Sequence, residues 1–233
     1  MGEGLAKRLA LIREQLDQAS VRWGKPPRII AVSKTIAAEE INLLAALDVL
    51  DLGENRVQEI MEKAPMLYPK FRMHLIGRLQ TNKVKYIINK VCFIHSLDRM
   101  ELAQEISRHA QKAGLVMNVL VQVNVAGEAQ KGGINSDETE RFIRDCALMP
   151  GICVRGLMAI MPLTADVETL RPLFREMRSL FDSISQMEIP GVYMEELSMG
   201  MSQDYLIAAQ EGATMVRIGS ALFGARSPKA TNK

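Results

Sequence analysis

Lys34 follows the apolar segment IIAVS, and at that position its amine can act as a nucleophile. If the segment is a strand, Ile30, Val32 and Lys34 share one face, because strand side chains alternate. Aliphatic neighbours on that face disfavour the charged ammonium form, and a neutral amine can attack an aldehyde to form a Schiff base. A lysine that ends a strand and extends into solvent is the alternative interpretation.

Residues 197–224, LSMGMSQDYLIAAQEGATMVRIGSALFG, contain the residue types that bind an anion. Ser202 is predicted to cap a short helix that stops at Gly212, and the free N–H groups of a helix start bind phosphate. Gly219 and Ser220 are predicted to add backbone donors and a hydroxyl from the next strand. The Ser202 helix start alone is typical of an ordinary cap, and Gly219 and Ser220 alone are typical of a tight strand end. The two features together, on adjacent strands, favour an anion-binding site.

Arg217 lies in the alternating segment MVRIG, so its guanidinium points either into the predicted structure or towards helices outside it. A buried arginine needs a partner. An ion pair with Glu195 or Glu196 is the structural alternative. The functional interpretation is a hydrogen bond to a ligand atom held between Lys34 and the phosphate.

Two further polar residues are weaker candidates. Asn55, in GENRVQE, can cap a helix or reach a ligand oxygen, and the sequence favours neither. His74, in HLIGRLQTNK, is predicted to be a hydrogen-bonded histidine of an inner strand, because no cysteine or carboxylate pattern of a metal site accompanies it. The segment QKGG, residues 130–133, is predicted to be a loop.

The elements that must position these residues are strands alternating with helices. Residues 99–113 and 166–187 carry the clearest helical periodicity. Eight strand–helix repeats in a chain of this length are typical of a closed (β/α)8 TIM barrel. A doubly wound open sheet is the alternative, but the sequence lacks the GxGxxG motif expected at the first turn of such a sheet. The candidate strands span residues 28–34, 49–53, 71–77, 91–97, 116–125, 152–160, 192–198 and 215–224.

An additional amphipathic helix is predicted over residues 4–22, in front of the first strand, and its apolar stripe should cover something built later in the chain. No linker or low-complexity stretch interrupts the remainder, so residues 1–233 are predicted to form a single domain. Because barrel sites lie at the C-terminal ends of the strands, the candidate residues should meet there.

Composition excludes several classes of protein. The 233 residues include 29 basic and 27 acidic side chains, a net charge of +2, and only 5% aromatic residues, which is not the pattern of a dedicated nucleic-acid binder. The three cysteines show no CxxC spacing, so no metal site or disulfide framework is expected and a reducing compartment fits. Neither a signal peptide nor a membrane span is predicted, which makes a cytoplasmic location the expectation.

Seven motifs follow one another across nearly the whole chain: AVSKT, GENRVQE, HLIGRLQTNK, QVNVAGEAQKGG, RGLMAI, LSMGMSQD and VRIGSALFG. Together they resemble the pyridoxal 5'-phosphate (PLP) homeostasis protein family, single-domain relatives of the N-terminal barrel of alanine racemase. The resemblance implies that Lys34 forms a Schiff base with PLP and that Arg217 contacts the pyridine nitrogen or the phosphate. It also implies that the phosphate is held by Ser202, Gly219 and Ser220. Asn55 lies in a matching motif as a further cofactor-binding candidate.

The resemblance implies a carrier rather than an enzyme. An arginine at the pyridine nitrogen disfavours ring protonation, and the polar tail ARSPKATNK offers no second domain to supply the second base that alanine racemase uses. We therefore expect a non-catalytic protein that buffers or delivers PLP, with PLP-dependent apoenzymes as candidate recipients and a monomer favoured. A weak amino-acid racemase or other PLP enzyme, and a cofactor-free barrel enzyme acting on a phosphorylated sugar, are the alternatives.

Overall fold

Eight parallel strands close into a barrel in chain order, with β8 pairing with β1. The computed structural model describes residues 2–128 and 132–224. The predicted TIM barrel is confirmed, and closure excludes the open sheet. The strands are β1 Arg28–Val32, β2 Asp51–Glu54, β3 Arg72–Leu75, β4 Phe93–Leu97, β5 Met117–Val123, β6 Ile152–Ala159, β7 Val192–Met201 and β8 Met215–Ile218.

One helix follows each strand, as expected for parallel strands joined by crossovers. These helices form the outer layer, and their apolar faces pack on the strands. They are α2 Ala38–Asn42, α3 Val57–Lys63, α4 Val84–Ile87, α5 Met100–Lys112, α6 Thr139–Ala147, α7 Arg171–Gln186, α8 Tyr205–Gln210 and α9 Ser220–Phe223. Within the described ranges, no helix is long and apolar enough to cross a membrane.

The predicted N-terminal helix is present as α1, Gly2–Ala19. Its apolar stripe is buried, and it packs against α8 and α9. Arg8 donates hydrogen bonds to the carbonyl oxygens of Leu222 and Phe223 in α9, and the Tyr205 hydroxyl of α8 donates to Gln15. The segment therefore covers the outer wall beside the last strand.

The eighth predicted strand was too long. β8 stops at Ile218, and the residues after Gly219 turn into α9 instead of extending the strand to residue 224. A short apolar run such as Ala-Leu-Phe has no period that separates helix from strand, and Leu222 is buried in either case. Ser220 therefore begins a helix.

The prediction that Ser202 caps the helix after β7 was also wrong. β7 continues to Met201, and α8 begins at Tyr205 with Asp204 in the N-cap position, where its Oδ1 accepts the Met201 N–H at 2.5 Å. Gly200 makes this turn possible, because its φ of +90° suits glycine and a Cβ there would lie 2.5 Å from the Cβ of Ala208.

The predicted loop at 130–133 lies partly outside the described residues. Only Gly132 and Gly133 belong to the described chain, and Gln122 donates a 2.6 Å hydrogen bond to the carbonyl of Gly132.

Candidate functional site

A cavity of about 340 Å³ opens at the C-terminal ends of the strands. All the residues singled out for cofactor binding line it, although the sequence separates them by up to 186 positions: Lys34, Asn55, Ser202, Arg217, Gly219 and Ser220. The segments after β3 and β6 complete the wall with apolar side chains, among them Ile76, Ile160 and Leu163. The predicted meeting of these residues is observed, while their binding roles stay predictions.

Lys34 lies in the turn that follows β1, two residues beyond the last paired position. Its side chain is half-buried, and no hydrogen bond or ion pair engages its ammonium within residues 2–128 and 132–224. The next residue, Thr35, has a φ of +66°, a conformation that costs energy for a β-branched residue. The amine is therefore free at the cavity wall, on a turn that its surroundings must hold in place.

Four residues on the outer side of the sheet hold that turn, and we call them the charged cluster: Ser33, Glu54, Glu59 and Lys63. The Lys63 ammonium of α3 donates to the Ser33 carbonyl at 2.7 Å, to Glu54 Oε1 at 2.7 Å and to Glu59 Oε2 at 2.9 Å. The Ser33 hydroxyl also donates to Glu54 Oε1, and Glu59 Oε2 accepts the Thr35 N–H. Both neighbours of Lys34 in the chain are thus fixed.

The two carboxylates of the charged cluster differ in their protonation behaviour. Burial raises the pKa of Glu54 above its ordinary value and outweighs the hydrogen bonds from Lys63 and Ser33. For Glu59, burial is outweighed by the hydrogen bonds from Lys63 and the Thr35 amide, so that its pKa is lowered. Glu54 Oε2 is buried without a hydrogen-bond partner, which adds to the cost of ionising that carboxyl group.

The backbone donors lie after β8, the strand that pairs with β1. The Ser202 hydroxyl oxygen accepts the Gly219 N–H at 3.0 Å and the Ala221 N–H at 3.3 Å. Ser220 is exposed, and its hydroxyl has no hydrogen-bond partner in the described part of the chain. Amide donors at this wall therefore already hold an oxygen acceptor, which is the kind of atom that a phosphate presents.

Arg217 lies inside the barrel, with only 4% of its surface exposed. Its Nη1 donates to the carbonyl and the hydroxyl of Ser198, at 2.8 and 2.7 Å, and its Nη2 donates to the Ala159 carbonyl at 2.7 Å. Burial lowers the pKa of Arg217 to about 10, against the opposing effect of the Asp204 carboxylate. The guanidinium is anchored by neutral oxygens and borders the cavity.

The alternative of an ion pair with Glu195 or Glu196 is wrong. Glu196 pairs with Arg28, and Glu195 pairs with Arg155 at 2.7 Å. The Arg28–Glu196 pair lies nearer the N-terminal ends of the strands, because Arg28 precedes Ile30, the register partner of Arg217, by two residues.

Four residues inside the barrel continue from Arg217, and we call them the histidine chain: Ser198, His95, His74 and Asp51. Ser198 Oγ is 3.0 Å from His95 Nδ1, His95 Nε2 is 2.9 Å from His74 Nδ1, and His74 Nε2 is 2.9 Å from Asp51 Oδ1. Arg72 closes the far end with two hydrogen bonds to Asp51. The prediction that His74 is a hydrogen-bonded inner-strand residue is confirmed.

Burial governs the protonation of this chain. It lowers the pKa of His74 in spite of the nearby Asp51, and it lowers the pKa of His95 well below the ordinary value, assisted by the charges of His74 and Arg217. Burial alone would raise the pKa of Asp51, but the hydrogen bonds from His74 and Arg72 outweigh it, so that the pKa of Asp51 is lowered. The chain therefore joins neutral imidazoles to an ionised carboxylate at neutral pH.

Asn55 does not cap the helix that follows it. Arg56 occupies the N-cap position of α3, and no side chain caps that helix. The Asn55 side chain lines the cavity and has no hydrogen-bond partner among the described residues. Its position depends on Gly77, since a Cβ at Gly77 would lie 2.3 Å from the Asn55 carbonyl oxygen.

Sequence reasoning missed most members of the two networks. His95 and Ser198 are buried polar residues in otherwise apolar strands, and such residues require partners, which is the signal that could have found them. Asp204, a further buried carboxyl group at the cavity, has a pKa raised by burial. No group of three or more histidine, cysteine, aspartate or glutamate residues that could hold a metal ion occurs within residues 2–128 and 132–224.

Known proteins resemble this chain over nearly its whole length. Residues 8–227 match the family described as alanine racemase, N-terminal domain. The pyridoxal phosphate homeostasis protein of Aquifex aeolicus is 42% identical over 224 residues, which cover 94% of this chain and 97% of that protein. The chain belongs to the pyridoxal phosphate homeostasis protein family.

Solved structures agree with this assignment. PipY of Synechococcus elongatus, described as having PLP bound, is 33% identical and has a TM-score of 0.83, with 94% of this chain and 100% of that chain covered. A crystal structure described as an unknown protein from Bifidobacterium adolescentis has a TM-score of 0.89 at 32% identity, with 95% of each chain covered.

Proposed function

We propose that this protein binds PLP and serves its intracellular homeostasis, by buffering or delivering the cofactor without catalytic turnover. The observation that carries the proposal is the cavity that the unpaired Lys34 amine shares with Ser202, Gly219 and Ser220. The related PipY, with PLP bound, supports the same ligand.

The residues present suit PLP. A volume of about 340 Å³ lies within the range of small-ligand sites, about 300–1,000 Å³. When bound, the cofactor would supply an aldehyde carbon to which the Lys34 amine bonds with loss of water, together with a phosphate group. Ser202, Gly219 and Ser220 would hold the phosphate, while Arg217 would donate a hydrogen bond to the ligand and Asn55 would contact it from the wall of β2.

A carrier role is favoured by the scarcity of proton-transfer groups in the cavity. Among the described residues that line it, the ionisable side chains are Lys34, Asp204 and Arg217. Asp204 is already bonded through Oδ1 to the Met201 amide, and Arg217 stays protonated at neutral pH. General acid–base catalysis requires an acid and a base within reach of the substrate, and Lys34 would have to serve alone.

We place this function in the cytoplasm. The three cysteines are all free, which suits a reducing compartment.

Covalent attachment tests the ligand and the lysine together. The purified protein is incubated with PLP, its visible absorption spectrum is recorded, borohydride is added, and the modified peptide is identified by mass spectrometry. We expect attachment at Lys34 and none in Lys34→Ala. Lys83→Ala is the matched control, since Lys83 is half-buried at the same end of the barrel but does not line the cavity. Attachment that persists in Lys34→Ala would refute the assigned residue.

A second assay tests the carrier role. The PLP-loaded protein is incubated in D₂O with single L-amino acids, and deuterium at the α-carbon and the D isomer are measured. We expect neither to form at the rates of metabolic enzymes, about 1–1,000 per second. Turnover in that range would establish the racemase alternative instead.

A further inference from the structure

The histidine chain has a definite direction, which follows from the groups at its two ends. Arg217 can only donate hydrogen bonds, and the Asp51 carboxylate, held ionised by two hydrogen bonds from Arg72, can only accept them. Each interior member has one donor and one acceptor to place. The two ends therefore decide the role of every atom between them.

Starting from Arg217, each hydrogen bond fixes the donor and acceptor atoms of the next one. Because Ser198 Oγ accepts from Arg217 Nη1, its own hydrogen is directed to His95 Nδ1. His95 then carries its proton on Nε2 and donates it to His74 Nδ1, and His74 carries its proton on Nε2 and donates it to Asp51. Both imidazoles are neutral in the Nε2–H form, and every side-chain polar atom of the histidine chain has a hydrogen-bond partner.

The reverse direction fails at both ends. A His74 with its proton on Nδ1 would face the Asp51 carboxylate with a lone pair at 2.9 Å. His95 would then donate to Ser198, whose own hydrogen would lose its acceptor in a buried place. Unsatisfied buried groups of this kind are costly, so one arrangement is strongly preferred.

We propose that Ser198, His95, His74 and Asp51 are positioning residues for Arg217, which they hold as a fixed donor at the cavity through a one-directional chain of hydrogen bonds. The chain runs between opposite ends of the barrel interior. Arg28 and Arg72 flank its far end, and Arg217 is the cation at the cavity end. That the fixed donor serves PLP rests on the proposed function, whereas the direction of the chain does not.

The direction is tested on the ligand-free protein. Long-range ¹H–¹⁵N spectra of histidine-labelled protein report which ring nitrogen carries the proton. We expect His74 and His95 to be neutral Nε2–H tautomers at neutral pH, with His109, on the outer helix α5, as the reference signal. An Nδ1–H tautomer or a charged ring at either position would overturn the proposal.

Positioning is tested with two substitutions of one residue. His95→Asn places an amide oxygen near the former Nδ1 position and so keeps an acceptor for Ser198, whereas His95→Gln reaches towards His74 and leaves Ser198 without its acceptor. We expect His95→Gln to weaken PLP binding about tenfold and His95→Asn to weaken it only about twofold to threefold, measured by absorbance titration. Equal losses in both variants would indicate a merely structural role and overturn the proposal.

The NMR signals of the Arg217 side chain, recorded without ligand, test the positioning role independently of PLP binding. In the unsubstituted protein the Arg217 Nη protons should give separate, slowly exchanging signals, and these should merge in His95→Gln but persist in His95→Asn. If the unsubstituted protein fails to bind PLP, the proposed function falls while this result still decides the positioning role. If the Arg217 signals are already merged in the unsubstituted protein, the positioning proposal is wrong whatever the protein binds.

Discussion

The charged cluster and the histidine chain stabilise the two sides of one cavity by opposite means. Around Lys34, a lysine and two glutamates are packed against backbone atoms on the outer side of the sheet. Behind Arg217, neutral imidazoles and a hydroxyl lead through the barrel interior to a carboxylate. Both networks include a carboxylate from the four residues of β2, Asp51 facing inward and Glu54 outward.

The difference shows what each side must do. The charged cluster fixes the backbone on either side of Lys34 and leaves the amine itself unbound among the described residues, as its proposed reaction with an aldehyde requires. The histidine chain instead holds the Arg217 side chain itself, as the proposed role of a fixed donor requires. Removing a member should therefore have different consequences in the two networks.

Loss of a buried cation should have the largest effect. Lys63→Ala leaves Glu54 and Glu59 without their cation, and we expect the free energy of unfolding to fall by about 3–5 kcal/mol. Lys7→Ala is the matched control, because Lys7 lies 2.9 Å from Glu3 with the same i,i+4 spacing on an exposed face. Urea unfolding should show almost no change there. Similar losses in the two variants would show that burial of the cluster contributes nothing.

Interruption of the histidine chain should cost less, because no full charge loses its only partner. His74→Phe keeps the ring that stacks on Phe93, with centroids 5.4 Å apart, but leaves the His95 N–H without its acceptor. Asp51 retains Arg72. We expect a loss of about 1–3 kcal/mol in urea unfolding. A loss as large as that of Lys63→Ala would remove the distinction between the networks.

The two carboxylates of β2 should give opposite pH dependences. The pKa of Asp51 is lowered in the folded state, so its contribution is present above its ordinary pKa of 3.8 and is lost as the pH falls below that value. The pKa of Glu54 is raised, so its contribution is full below 4.5 and declines as the pH rises above that value.

Unfolding of the unsubstituted protein, Asp51→Asn and Glu54→Gln from pH 3 to 8 measures both contributions as differences. The stability advantage of the unsubstituted protein over Asp51→Asn should shrink towards pH 3, and its advantage over Glu54→Gln should shrink towards pH 8. Two differences that change in the same direction would contradict the assignment of opposite pKa shifts.

The smallest effect is expected outside both networks. Ser202→Ala removes the acceptor of the Gly219 and Ala221 amides, two hydrogen bonds that are only partly buried, and should cost about 1 kcal/mol or less. Because Ser202 shares no hydrogen bond with Lys63, the loss should add to that of Lys63→Ala in the double variant. Strong non-additivity in urea unfolding would mean that the two walls of the cavity are coupled.

The sequence predicts the barrel and the location of the site because both depend on local patterns. Strand alternation and helical periodicity repeat eight times, and the rule that barrel sites lie at strand C-termini brings Lys34 to residues 197–224. The roles of individual residues within that segment were harder to predict. Ser202 caps no helix of its own but accepts amides from the start of α9, and the pattern ALF conceals that helix.

The networks could not be predicted from local patterns. His95 and Ser198 are 103 positions apart, and Arg217 reaches a carbonyl 58 positions away. These contacts exist only after the sheet has closed, because each partner comes from a different strand of the same interior. A single histidine in an apolar strand indicates that a partner exists and does not identify it.

The packing of α1 on α8 and α9 has a consequence for the order of assembly. Arg8 bonds to a carbonyl 214 positions later, so α1 cannot dock until α9 has been synthesised. Contacts between such distant parts of a chain form slowly, and an unpaired apolar stripe favours aggregation meanwhile. Since α9 also begins with Ser220, docking of α1 and completion of this wall of the cavity should be one late event in folding. A nascent chain still lacking this segment would be unable to retain its ligand.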